Sequence, residues 1–356
     1  MKQSTVRAAM VTEARITYYP DVKTKDRWMF RVKLVVAVLV LAVIAPAQTS
    51  KGGNALASQQ PPPPWAFAVA PPNAPPKLTG DTPRHVPRSK RTFTDSQIAD
   101  LFTAIDWHPG SHPPVPDIVG HGRKPDVYAC GYCHLPNGQG RPENSSLAGL
   151  PKQYIIQQMA AFQSGARKSS EPKSLPVNAM IQVAAHADAK EVASAAGYFA
   201  GLKPKPWIRV VETATVPKTQ VAGWMLVADE PVVKEPIGQR IIETPENLEL
   251  TELRDDSSGF VAYVPPGSLN KGRELVTVGG NEVTMPCAMC HGPDLRGKDN
   301  VPSIAGRSPS YIVRQLYDIQ IGSRRGAGTA LMQAPVMKLT MDDMLAIAAY
   351  LASLKP

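Results

Sequence analysis

The stretch from Ala129 to Gly138, ACGYCHLPNG, sets Cys130 and Cys133 three residues apart with His134 next in line. The arrangement returns at Cys287-Ala288-Met289-Cys290-His291, and the two copies hold all 4 cysteines of the 356-residue chain. Zinc sites built from two C-x-x-C pairs separate them by about 15 to 20 residues, far less than the distance from Cys133 to Cys287. A thioredoxin-like dithiol does not require a histidine after its second cysteine. Two disulfides in an exported protein would leave the duplicated histidine unexplained.

C-x-x-C-H is the attachment sequence of c-type haem. On a helical turn, residues three apart share a face, so both sulfurs reach the two vinyl groups of one porphyrin. The adjacent histidine then lies beneath the iron as proximal ligand. Two motifs therefore imply two covalently bound haem c groups, on Cys130 and Cys133 and on Cys287 and Cys290, with His134 and His291 as iron ligands.

An internal repeat surrounds the motifs. LAGLPKQYIIQQMAAFQSGAR, residues 147 to 167, aligns with IAGRSPSYIVRQLYDIQIGSR, residues 304 to 324, at the offset of the cysteines. Tyr154 matches Tyr311, Gln158 matches Gln315, Gln163 matches Gln320 and Gly165 matches Gly322. Apolar residues at helical spacing and the following glycine predict amphipathic helices whose apolar faces pack on haem. KEVASAAGYFAGL, residues 190 to 202, and DDMLAIAAYLASL, residues 342 to 354, read as closing helices, with Gly197 and Ala349 as small residues for close helix contact. The loop before each closing helix is expected to supply the distal ligand. Aligning those helices sets Met180 opposite Met332, while Met337 falls opposite Ala185 and His186 has no partner. A Met thioether is a soft, neutral ligand that raises the reduction potential, so Met180 and Met332 are the expected distal pair.

CxxCH, then LAG-x-x-x-x-Y-x-x-x-Q, then a Met before an A-A-Y-like helix: this pattern resembles class I cytochrome c. The duplicated form is similar to the dihaem cytochromes of the cytochrome c4 type, over about residues 120 to 202 and 270 to 356. The resemblance implies small helical domains, each around one covalent haem with His/Met ligation, shuttling electrons in the periplasm. The expected fold is mainly α: two tandem class I cytochrome c domains, residues 93–202 and 270–356, with a Pro-rich N-terminal strap, residues 48–92, and an extended, β-containing inter-domain insert, residues 203–269.

The flanking segments depart from that family. Residues 1–47 read as a signal peptide: Arg31 and Lys33 precede an apolar run from Leu34 to Ile44 and the small-x-small site Ala45-Pro46-Ala47. Met29 would make a more ordinary start. The run is shorter than the about 20 residues of a spanning helix, and an uncleaved leader would tether the protein to the membrane. The leader carries eight Lys or Arg against three acidic residues, so of the net charge of +9 only about +4 remains beyond it. Such a balance gives no basis for a nucleic-acid partner. PPPPWAFAVAPPNAPP, residues 61 to 76, suggests an extended polyproline II strap. The β-branched runs WIRVVETATV, GWMLVA, RIIETP and GFVAYVPPG suggest strands that brace the two units or dock a partner. In residues 93 to 122, a helix is expected at Ser96–Ala104, and His108, His112 and His121 are candidates for a third metal site or for loop packing.

The expected function is that of an electron carrier with no bond chemistry of its own, its haems cycling between Fe(III) and Fe(II). Its partners would be redox proteins: a periplasmic dehydrogenase, or a membrane bc1-type or terminal oxidase complex. The rivals are a dihaem peroxidase with one displaceable distal ligand, and a cytochrome subunit of a periplasmic dehydrogenase or terminal oxidase. A Met in the same register of both repeats leaves no evident vacant iron for the peroxidase.

Overall fold

A computed structural model of the chain describes residues 61–71 and 80–356. The leader and the start at Met29 lie outside the described residues. No helix among the described residues is long and apolar enough to cross a membrane.

The Pro-rich lead-in does more than run extended. Ala66 and Phe67 both donate their backbone N–H to Pro63 O, at 2.9 and 3.0 Å, forming a turn. That turn buries Phe67 against Tyr317, with ring centroids 5.7 Å apart. Hydrophobic burial thus draws a segment that composition marks as a strap into the core of the second repeat.

Residues 80 to 122 form a short hairpin, β1 (Pro83–Arg84) and β2 (Phe93–Thr94), followed by α1 (Asp95–Ala99) and α2 (Asp117–Gly120). The expected helix to Ala104 stops early. Asp100 accepts from the Phe102 N–H at 3.1 Å and the Thr103 hydroxyl at 2.8 Å, a local side-chain competitor to the helical ladder. The freed backbone pairs instead with the first motif: Ala129 N–H donates to Leu101 O at 3.0 Å.

The first repeat continues with α3 (Cys130–His134), α4 (Lys152–Gln163), α5 (Leu175–His186) and α6 (Ala189–Gly201). Asp188 and Glu191 form a capping box that starts α6. Its inner face buries Ala195, Ala196 and Phe199 beside Val119, Val127 and Ile155.

Residues 203 to 267 build the insert: β3 (Ile208–Glu212), β4 (Thr215–Pro217), β5 (Thr219–Ala222), β6 (Met225–Ala228), β7 (Lys234–Pro236), β8 (Ile242–Pro245), α7 (Leu248–Glu252) and β9 (Phe260–Val264). β9 is central, parallel to β3 and antiparallel to β8, while β4 pairs β7 and β5 pairs β6. The insert grips both repeats. Toward the first, Gln139 Nε2 donates to Ser258 O at 3.0 Å and Arg254 Nη1 to Tyr132 O at 2.7 Å. Toward the second, the buried Glu243 carboxylate accepts from the Ser308 hydroxyl at 2.8 Å and the Ser310 N–H at 3.0 Å.

The second repeat comprises α8 (Ser268–Val278), α9 (Ala288–His291), α10 (Pro309–Gln320), α11 (Thr329–Val336) and α12 (Met341–Ser353). Thr340 and Asp343 repeat the capping box of α6 in the register that aligns the closing helices. α8 has no helical counterpart of similar length in the first repeat, where Pro113, Pro114 and Pro116 remove donors and block αR backbone before α2.

The tight helix contact lies at Gly272 of α8, where a Cβ would overlap the Ala346 carbonyl oxygen of α12. Gly197, expected from sequence to serve this purpose, has only the far end of Lys152 near it, at 3.9 Å. Gly272→Val is therefore expected to destabilise the protein by about 1–3 kcal/mol through overpacking. Gly197→Ala is expected to be neutral or slightly stabilising, because alanine is the better helix former. Guanidinium unfolding of the two variants tests the contrast.

Candidate functional site

α3 and α9 are single turns that end as sequence and backbone dictate. Leu135 follows His134 with φ 60° and ψ 153°, and Gly292 follows His291 with φ 83° and ψ 160°. That region of backbone space is essentially reserved for glycine, so Leu135 stores about 1–3 kcal/mol of strain. Burial of the Leu135 side chain offsets this. The two loops then match bond for bond. Gly140 N–H donates to His134 O at 2.9 Å, as Gly297 does to His291 O at 2.8 Å. Gly149 N–H docks on Phe199 O of α6 at 3.0 Å, as Gly306 does on Leu351 O of α12 at 2.9 Å.

The matched loops place a carbonyl beside each histidine. His134 Nδ1 lies 2.8 Å from Ser145 O and His291 Nδ1 lies 2.8 Å from Pro302 O, each acceptor eleven residues on. A carbonyl oxygen only accepts, so Nδ1 carries the proton and Nε2 presents a lone pair. Burial pushes His134 down to about 4 and His291 below its ordinary value. Both rings are thus neutral near pH 7, as a metal ligand must be. The four cysteines are unbridged. Burial pushes Cys130 up to about 12 and Cys287 to about 11, the opposite of the low values a redox dithiol requires.

Beside the first motif lies a cavity lined by Cys130, Cys133, His134, Met159, Met180 and Phe199 among others. Its walls are almost wholly apolar, as cofactor sites usually are. Met180 reaches it from α5. In the second repeat Met332, on α11, packs against the core together with Cys287, whereas Met337 is exposed. His186 is exposed, and its Nδ1 lies 2.9 Å from Gln182 O in its own helix. Met159 of α4 was not singled out from sequence, although it lines the same cavity as Met180. The repeat sets Leu316 at its position, so it has no thioether counterpart.

The site continues into a second lobe, where polar groups join the apolar lining, among them His134, Tyr154, Gln158, Arg167 and Tyr311. Here the two repeats face each other through a reciprocal network. Arg167 donates to Gln158 Oε1 (2.9 Å), Gln315 Oε1 (3.0 Å) and Tyr311 OH (3.2 Å). Arg324 mirrors it with Gln315 Oε1 (2.9 Å), Gln158 Oε1 (3.0 Å) and Tyr154 OH (2.9 Å). Burial, and then the like charge of Arg324, press Arg167 below the usual guanidinium range. Both cations are bonded to neutral groups. Two thiols, a neutral imidazole and a thioether around an apolar cavity that opens onto buried guanidiniums fit haem c, an apolar macrocycle with a central metal and carboxylate tails.

The two motifs differ in their cover. Tyr132 is buried, with the Arg254 guanidinium 3.5 Å over its ring. Its counterpart Met289 is 72% exposed, and Cys290 is exposed as well. The three histidines upstream do not converge. His112 lies between Asp106, at 3.3 Å, and the Tyr198 hydroxyl, at 3.1 Å. His121 is exposed and bridges Thr103 through its backbone. His108 Nε2 lies 3.0 Å from Asp255 Oδ1 of the insert.

Comparison with known proteins agrees with this geometry. The family model for cytochrome c matches residues 278–355. The thiosulfate dehydrogenase electron acceptor of Thiomonas intermedia is 26% identical over 234 residues, covering 64% of this chain and 80% of its own. Cytochrome c4 of Pseudomonas aeruginosa is 24% identical over 230 residues, covering 63% and 83%. Cytochrome c-554(548) of Halomonas halodenitrificans is 32% identical over 75 residues, which span 21% of this chain and 90% of that protein. With two C-x-x-C-H turns, two matched histidine loops and these relatives, the chain belongs to the cytochrome c family, as a c4-like class I c-type cytochrome that binds haem c covalently and transfers electrons.

Proposed function

We propose that this chain is an exported, periplasmic two-haem relay that exchanges electrons with redox partner proteins, a periplasmic dehydrogenase or a membrane bc1-type or terminal oxidase complex, and performs no bond chemistry on a substrate. Cys130 and Cys133 hold one haem c and Cys287 and Cys290 the other. His134 and His291 are the proximal ligands, and Met180 and Met332 the distal ones. Bound haem c supplies a reversible Fe(III)/Fe(II) couple.

The observation that carries this reading is the equivalence of the two histidines, each held neutral, with its Nε2 lone pair free, by the same bond to a carbonyl eleven residues on. Each Met contributes a soft, neutral donor that favours ferrous iron. The apolar walls exclude water, and the insert fixes the repeats against each other, so little has to rearrange as charge arrives. A relative named as an electron acceptor of thiosulfate dehydrogenase supports a dehydrogenase as donor.

The difference in cover supports the second repeat as the place of exchange with partners. The first motif is covered by Leu101, Ala104 and Ala129 and by Arg254 of the insert, while Val278, Met289 and Leu331 stand exposed in the second repeat. Stopped-flow mixing of the ferric protein with a thiosulfate dehydrogenase and thiosulfate tests both points. Reduction of both haems is expected, slowed at least about tenfold by Met289→Glu through loss of apolar contact and added desolvation cost. No reduction of either haem, or rapid turnover of hydrogen peroxide, would contradict the proposal.

A further inference from the structure

His108, Asp255 and Asp256 come together from segments 147 residues apart, and each offers a ligand atom within 4.8 Å of the other two. Asp255 and Asp256 are 2% and 6% exposed, and Oδ2 of each is buried without a hydrogen-bond partner. Asp255 Oδ1 is occupied by the Ser257 N–H at 2.9 Å and His108 Nε2 at 3.0 Å. Among the described residues, the ion pair of Asp255 is with His108, and no Lys or Arg pairs with either carboxylate. Adjacent buried carboxylates with bare oxygens are unfavourable unless a proton or a cation neutralises them.

We propose that these three residues form a binding site for a divalent first-row cation of the zinc type, distinct from the haem sites. One imidazole nitrogen and two carboxylate oxygens make a mixed N/O donor set suited to such borderline ions. A cation at their centre draws each ligand atom inward by about an ångström, a side-chain adjustment, to bonds of about 2.0–2.2 Å. The entry path is present: a cleft lined by His108, Asp256, Asn137 and Trp207 leaves room for a water ligand.

The position makes the site a clamp. Trp107, next to His108, donates its Nε1–H to Leu253 O at 2.7 Å, and Asn137 Nδ2 donates to Asp256 O at 2.8 Å. Asn137 is three residues beyond His134, and Arg254 covers Tyr132 of the first motif. A bound cation therefore cross-links residues 80 to 122 to the insert immediately behind the first haem turn.

The test uses haem-loaded protein stripped with a chelator, which leaves covalent haem in place, and titrates it with Zn2+ by calorimetry. One equivalent is expected to bind, with an accompanying rise in Tm. His108→Gln and Asp256→Asn are each expected to weaken binding at least about tenfold and to abolish the rise. Asp256→Asn keeps side-chain shape and the backbone bond to Asn137, so it separates ligation from folding, and an unchanged Soret band checks the haem. Absence of stoichiometric binding by the unmodified protein would overturn the proposal, as would binding that both variants retain in full, which would place the ion on surface histidines.

Discussion

If each thioether serves one iron, as proposed, Met180→Ala and Met332→Ala are each expected to remove about half of the Met-to-iron charge-transfer absorption of the ferric protein, and the double variant all of it. Met180 lines the cavity that holds Cys130, Cys133 and His134. Met332 and Cys287 both pack against the core of the second repeat. Each change deletes the sulfur while leaving the helix free to form, because alanine favours helix. The proximal bonds of His134 and His291 lie on other elements and should persist. The reduction potential of the altered haem is expected to fall, because a soft ligand to ferrous iron is gone. Met159→Leu is the internal control: Met159 lines the same cavity, yet the second repeat carries Leu316 at that position, so the absorption should be unchanged. A Met180→Ala protein with the full band, or a Met159→Leu protein lacking half of it, would reassign the distal ligand of the first repeat.

The second expectation concerns the reciprocal arginines. When Arg167 is replaced by Met, Gln158 and Gln315 each keep a bond from Arg324, and one buried like charge is removed, so mainly Tyr311 loses a donor. The same holds in mirror image for Arg324→Met and Tyr154. Each single variant is therefore expected to cost about 1–2 kcal/mol, below the sum of three charged hydrogen bonds at about 1.5–3 kcal/mol each. The double variant orphans two glutamines and two tyrosines at once. It is expected to cost about 4 kcal/mol or more, a coupling of about 1–2 kcal/mol beyond additivity. Guanidinium unfolding of the haem-loaded protein, followed at the Soret band, measures the cycle. Additive losses would show that the arginines act independently and that the network does not join the repeats as a unit.

Much of the site was legible because its chemistry is local. Two cysteines and a histidine on one turn, a repeated helix and a Met in common register are relations within a few dozen residues. The network between the repeats was also written in the repeat, as Tyr154 and Tyr311, Gln158 and Gln315, and Arg167 and Arg324. Helical periodicity assigned those helices an apolar role, and only their mutual approach shows why polar residues recur. Gln163 and Gln320 show the limit of such matching. Gln320 is buried and donates to Val336 O and Leu339 O at 2.7 and 2.8 Å, whereas Gln163 is exposed.

What escaped the sequence depends on distant pairing. The parallel register of β3 with β9 joins strands some fifty residues apart, and nothing in either strand specifies the other. Nothing in the sequence around Gly272 specifies its close approach to α12, which only the packing shows. His108 was grouped with His112 and His121 because they are near in sequence. Its partners, Asp255 and Asp256, arrive from the insert once Trp107 and Leu253 have packed together.

The central claim, two His/Met haem centres that carry electrons, is tested most directly by an optical redox titration of the haem-loaded protein. Two one-electron steps of equal amplitude are expected, with low-spin ferric spectra and Met-to-iron absorption lost in proportion to reduction. A single one-electron step, or a high-spin ferric component that binds peroxide, would contradict it.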